Sequence, residues 1–285
     1  MDVQLDTRFV LVLPYYTRCL STNSQMKQLG NDVLIDDDIR HTVLHAVKGE
    51  NSAVMLFGSV ARGDASPLSD IDVLQLSDRR TRPYKVGRTN VSVYDEATLL
   101  GMAHRGSLFV LHLRDEGQIL RDSDGRLRKC LEAYQPQSDY EPYRRALRET
   151  ANLLDVPKEE YKRRWKAYNE VAMFLLRSTL YAHFAEAGNP VFSLAVVQQR
   201  LERPDVADAF TLKSAPGPCY REFVVAGHLL SEFLRATIRN PFGTVEALVT
   251  NTGMENPLML AFGLRLLGRK DFELSYDLLL FPPFG

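Results

Sequence analysis

The stretch LFGSVARGDASPLSDIDVL, Leu56 to Leu74, decides how the first half of the chain is read. An apolar run breaks at Gly58-Ser59, and a second apolar run then carries Asp70 and Asp72, one residue apart. On a strand, successive side chains point to opposite faces, so Asp70 and Asp72 share one face while Ile71 and Val73 share the other. Two carboxylates that close repel each other unless a cation or solvent screens them. The pattern therefore reads as strand, glycine turn, helix start, loop and strand, with a paired-acid site at the second strand.

The surroundings are those of an ordinary folded enzyme-sized chain. At 285 residues and 45% hydrophobic, it has material for one or two domains with a substantial core. The net charge of −1 advertises no protein-wide field for nucleic acid, so any such contact has to be local. Cys19, Cys130 and Cys219 lie far apart, which suits a reducing compartment and argues against structural zinc. The start, MDVQLDTRFVLVLPYY, is acidic with a short apolar stretch, unlike a signal peptide, and no run is long enough to span a membrane. The expectation is a cytoplasmic protein with no membrane partner.

Outward from the opening stretch, DDDIRHTVLHAVKG (36–49) has helical spacing, an acidic start and a glycine stop. AVMLF (53–57) is a short buried strand, and DIDVLQLS (70–77) and NVSVY (90–94) alternate. EATLLGMAHRGSLFVLHLRDEGQILRD predicts helix broken at Gly106, then a short strand near Ile119-Leu120. YQPQSDYEP (134–142) is polar and proline-bearing, and the periodicity beyond it is almost entirely helical. We expect a mixed α+β domain over residues 1–134 and an all-α helical bundle over 135–285.

A glycine at 58 lets the backbone turn sharply and approach a ligand, so that Ser59 and the amides after it can cradle phosphate oxygens. Hard oxygen donors such as Asp70 and Asp72 suit Mg²⁺ shared with substrate phosphates. Gly58-Ser59-Val60-Ala61-Arg62-Gly63, five residues, then Ser69-Asp70-Ile71-Asp72 resembles the G-S-x-A-R-G and S-D-x-D signature of the polymerase-beta-type, or minimal, nucleotidyltransferases. The resemblance implies a small mixed sheet with helices on one side, followed by a helical domain that helps bind the acceptor. It implies transfer of NMP from an NTP to a hydroxyl, with Asp70 and Asp72 as catalytic metal ligands. Gly58, Ser59, Arg62 and Ser69 would shape the phosphate cradle. The acceptor stands open between a tRNA or other RNA 3′ end, as in nucleotidyltransferase toxins of toxin–antitoxin pairs, a protein side chain and an aminoglycoside.

The family also supplies a third carboxylate from a neighbouring strand. In NVSVYDEATL the expected position is Ser92. Asp95 is the nearest acid, with the wrong strand parity and a natural place as a helix cap; Glu96 follows it. Either one of these acids completes the site, or two carboxylates suffice, or the protein binds nucleotide or a partner without turnover, as an antitoxin or regulatory subunit would. The basic RRTRPYKVGR (79–88) is either a phosphate-binding rim, through Lys85 and Arg88, or a solvated hairpin. KEEYKRRWKAY (158–168), with Tyr161, Trp165 and Tyr168, is either an RNA groove or a helix with one wet face. Arg177 and His183 loosely resemble the ribonuclease motif of HEPN domains, and His112 reads as packed or hydrogen-bonded structure.

Overall fold

A computed structural model describes residues 35–49, 52–67, 69–78 and 82–269. The amino-terminal stretch with Cys19, and Arg79, Arg80 and Thr81 of the basic segment, lie outside the described residues. Among those described, no helix is long and apolar enough to cross a membrane.

The chain opens with α1 (Asp37–Ala46), capped by the Asp36 carboxylate, which accepts from the Asp38 N–H at 2.8 Å. Then come β1 (Ala53–Phe57), the one-turn α2 (Gly58–Arg62), β2 (Ile71–Leu76), β3 (Tyr84–Val86) and β4 (Thr89–Tyr94). α3 (Glu96–His104), α4 (Leu108–Glu116), β5 (Gln118–Arg121) and α5 (Arg126–Glu132) complete the mixed region. The sheet order is β3-β4-β2-β1-β5; β2 and β4 run parallel and every other neighbouring pair antiparallel. β3 falls within the stretch read as a basic loop. Its three residues, Tyr-Lys-Val, are largely exposed and too few for their alternation to stand out from the basic stretch.

β1 is buried at all five positions, which a strand in mid-sheet needs cover on both faces to achieve. On one face Met55, Leu74 and Leu76 pack against Leu99 and Met102 of α3, Leu113 of α4 and Leu127 of α5. On the other, Val54, Leu56, Val73 and Val91 pack against Val43 of α1 and Ala61 of α2. Helices therefore cover both faces, correcting the expectation of one. The predicted break at Gly106 separates α3 from α4; its φ is +63°, and a Cβ there would sit 2.5 Å from the Gln135 carbonyl oxygen.

The rest is helical: α6 (Glu141–Ala151), α7 (Lys158–Arg163), α8 (Trp165–Glu186), α9 (Leu194–Leu201), α10 (Pro204–Phe210), α11 (Tyr220–Leu234), α12 (Val245–Thr252) and α13 (Pro257–Leu266). α8 is the axis of this region. Its Val171, Leu175, Leu176 and Leu180 are fully buried in one cluster with Phe223 of α11 and Phe262 of α13. Truncating such a leucine to alanine costs about 2–5 kcal/mol. The two regions meet where Leu108 of α4, Tyr140 and Ala182 of α8 form a small cluster. The Tyr140 N–H also donates to the Glu186 carboxylate at 3.0 Å.

Candidate active site

The glycine turn is built as the sequence suggests. Gly58 follows β1 directly with φ +77°, and Gly63 closes α2 in the left-handed region at φ +80°. A Cβ on residue 58 would lie 2.8 Å from Asp72 Oδ2, so position 58 is closed to a side chain by backbone conformation and by the acid beside it. In the β1–β2 register Phe57 stands opposite Asp72, which brings the end of one strand against the acid of the next.

A cleft of about 380 Å³ opens at this point. Gly58, Ser59, Arg62, Ser69 and Asp72 line it from the sheet side. Asp72 is half-buried; burial raises its pKa, and the like charge of Asp70 adds to the rise against a hydrogen bond from Asn90. Asp70 stands exposed outside the lining. A hydrogen bond from Lys85 holds its pKa below the usual carboxylate range, with Nζ 3.0 Å from Oδ1. Lys85 and Arg88 are thus beside Asp70 rather than in the cleft, and Arg88 donates to the Pro67 carbonyl at 3.0 Å.

Arg62 reaches the cleft but is already paired. Its guanidinium donates to Glu116 at 2.8 Å and lies 3.1 Å from Asp64. Glu116 also stands 3.1 Å from His112 Nε2. Burial opposes ionisation of Glu116, but hydrogen bonding and charge from His112 and Arg62 overcome it and lower its pKa. The i, i+4 spacing of His112 and Glu116 on α4 was visible in the sequence. His112 is held structure, as read, and it also lines the cleft, stacked on Phe192 with centroids 4.7 Å apart.

The strand beside the acids changes the reading of the third carboxylate. β2 and β4 pair Asp72 with Asn90 and Leu74 with Ser92. The β4 side chain that meets the acids is Asn90, whose Nδ2 donates to Asp72 Oδ1 at 3.3 Å. Asn90 has the strand parity of Ser92, but the pairing register that selects it is not written in one strand alone. Asp95 caps α3, accepting from the Thr98 N–H at 2.7 Å and from Thr98 Oγ1 at 2.9 Å. Glu96 faces Lys129 at 3.5 Å. Among the described residues no group of three or more His, Cys, Asp or Glu side chains is arranged to hold a metal ion.

The opposite wall comes from the helical region and was not anticipated as such. Phe174, Arg177 and Tyr181 of α8, Phe192 and Ser193 before α9, and Lys213 line it. Ser193 Oγ donates to Asp64 at 2.8 Å, tying the two walls together. His183 lies away from the cleft, in edge contact with Phe184 and Phe233, because six positions on a helix of about 3.6 residues per turn place it on another face from Arg177. The paired Arg–His reading is therefore not supported by the arrangement. Tyr161 and Tyr168 are fully buried, and of the three aromatics in that segment only Trp165 is left partly exposed.

Two hard-oxygen carboxylates at the start of β2, one of them lying directly against the Gly58 turn, are a donor set that fits Mg²⁺ held jointly with phosphate oxygens. Comparison with known proteins agrees with the geometry. Residues 38–118 match the family model for the nucleotidyltransferase domain. Among solved structures, the chain is similar to a nucleotidyltransferase-like protein from Exiguobacterium sibiricum, at 16% identity over 83% of this chain and 90% of that one, with a TM-score of 0.28. No curated protein matches it. The matched segment runs from α1 to the first residue of β5 and contains the glycine turn and both aspartates, so residues 38–118 are a nucleotidyltransferase domain of the polymerase-beta type.

Proposed function

We propose that the protein is a Mg²⁺-dependent nucleotidyltransferase that moves NMP from an NTP to a hydroxyl acceptor and releases pyrophosphate. The observation that carries this is the Gly58–Asp72 approach at the mouth of a cleft walled by both regions. Asp70 and Asp72 would hold Mg²⁺, which when bound neutralises charge on the triphosphate. Gly58 lets the Asp72 carboxylate lie against the turn, and Ser59 and Ser69 line the cleft in which the phosphates would sit. Arg177 and Lys213 supply positive charge from the facing wall, and Phe174 and Phe192 give that wall an apolar lining for the base. The acceptor hydroxyl oxygen bonds to the α-phosphorus as the bond from that phosphorus to the bridging oxygen breaks. Pyrophosphate leaves with the electron pair, and the hydroxyl proton passes to solvent. The domain division at residue 134/135 belongs to this reading: the first part carries the metal and phosphates, the second presents the acceptor.

One observation favours a second reading. Asn90, a neutral amide, occupies the β4 position against the acids, which suits a nucleotide-binding protein with weak or no turnover. The test is transfer of label from each α-labelled NTP with Mg²⁺, offered RNA and cell protein. Transfer that is lost in Asp70→Asn/Asp72→Asn supports the enzyme. NTP binding without transfer supports the second reading and overturns the first.

A further inference from the structure

A second cavity, of about 370 Å³, runs along α8 and shares Phe174, Arg177 and Lys213 with the cleft. The two are therefore neighbours, with these three side chains between them. Trp165, Lys166, Asn169 and Glu170 line its far end. Trp165, Asn169, Met173 and Arg177 recur at helical spacing, so one stripe of α8 leads from this groove to Asp72's cleft.

Three features of the groove point to a ligand. Asn169 is 4% exposed, yet its Nδ2 has no partner. Its orientation is fixed by Tyr161, whose hydroxyl accepts from the Cys219 N–H at 2.9 Å and so gives its own hydrogen to Asn169 Oδ1 at 2.9 Å. That leaves the amide donor for an outside carbonyl or phosphate oxygen. The charges are one-sided: Lys166, Arg177 and Lys213 line the groove, and its one acid, Glu170, accepts from Arg265 Nε at 2.7 Å. Trp165 offers an indole face, with Lys166 Nζ 5.5 Å from the ring. A polycationic small molecule meets no free carboxylate here. Asn169 and Arg177 are eight positions apart, about 12 Å along a helix, so one ligand touching both is chain-like.

We infer that this groove seats the acceptor, and that the acceptor is the 3′ end of a single-stranded nucleic acid, with a base on Trp165 and its backbone along Lys166, Asn169 and Lys213. The inference rests on the transfer reading above. Trp165 is the single tryptophan of the chain, so its fluorescence reports the groove directly. A single-stranded oligoribonucleotide of about a dozen residues should quench it, and should accept label in the same sample. Lys166→Glu and Lys213→Glu, both at exposed positions, should each weaken the quench about tenfold and reduce its salt dependence. Asn169→Asp, which keeps the acceptor for Tyr161 and removes the donor, should weaken it as well. Label transfer to protein with no quench by the oligoribonucleotide overturns the groove and leaves the transferase. Quench without transfer to the oligoribonucleotide overturns the acceptor role, and the transfer reading falls with it where cell protein is not labelled either. Equal quench by polyglutamate overturns nucleic acid in favour of an acidic protein.

Discussion

The two walls of the cleft handle charge in opposite ways. On the sheet wall Arg62 is held by Glu116 and Asp64, and Glu116 also by His112. On the helical wall Arg177 and Lys213 have no acid within ion-pair distance among the described residues. An arginine already clamped by two carboxylates orders its own wall, and recruiting it to a phosphate would leave those carboxylates behind. A cation without such partners remains available to an anionic ligand. The wall that carries the recognisable motif thus pairs its cation with acids, and the wall without a motif carries cations that no acid among the described residues pairs.

The contrast yields predictions of decreasing size. Asp70→Ala/Asp72→Ala should lower transfer by about 10³-fold or more, the equivalent of several kcal/mol, in a label-transfer assay. Arg177→Met should raise the KM for NTP by about 10- to 100-fold, as expected for loss of a hydrogen bond to a charged group. Arg62→Met should instead lower urea-unfolding stability by about 1–3 kcal/mol, because it strands the half-buried Glu116. An NTP KM that rises as much in Arg62→Met as in Arg177→Met would break the contrast. Asn90→Asp places a third carboxylate beside Asp72. Its melting temperature should fall by about 2–4 °C in EDTA and recover with Mg²⁺. The smallest effect is in acid. Glu116 has a folded pKa below its ordinary 4.5, so its contribution is fully present above 4.5 and lost as pH falls through the lower folded value. Urea midpoints from about pH 6 down to about pH 3 should fall less steeply in Glu116→Gln than in the parent.

The mixed region was legible because its signals are local. Gly58 and the alternation of Asp70 with Ile71 and Asp72 with Val73 are set within a few residues, and the break at Gly106 needs only one positive φ. The break between α7 and α8 was not, since Arg164 leaves helical geometry at φ −131° within an unbroken helical pattern. Its Nη1 donates to the Leu266 carbonyl at 2.6 Å, a partner that no local window contains. Asn90 illustrates the same limit inside the site. In the sequence the expected acid position is Ser92; Asn90 shares its parity, and only the pairing of β4 with β2 sets Asn90 opposite Asp72. Phe192 and Lys213 lie far along the chain from the motif and enter the cleft through tertiary packing alone.

α8 has a mechanical consequence. Its 22 residues make a beam about 33 Å long, clamped along its buried side by α11 and α13. The side chains that line the cleft and the leucines that hold the helical region together are carried on the same rod. Freeing Arg177 from its place thus means dismantling the core behind it, and the two events share one free energy. Amide hydrogens of α8 near Arg177 should then exchange only through global opening of the helical region. A stabilising change behind the helix would slow them without touching the cleft.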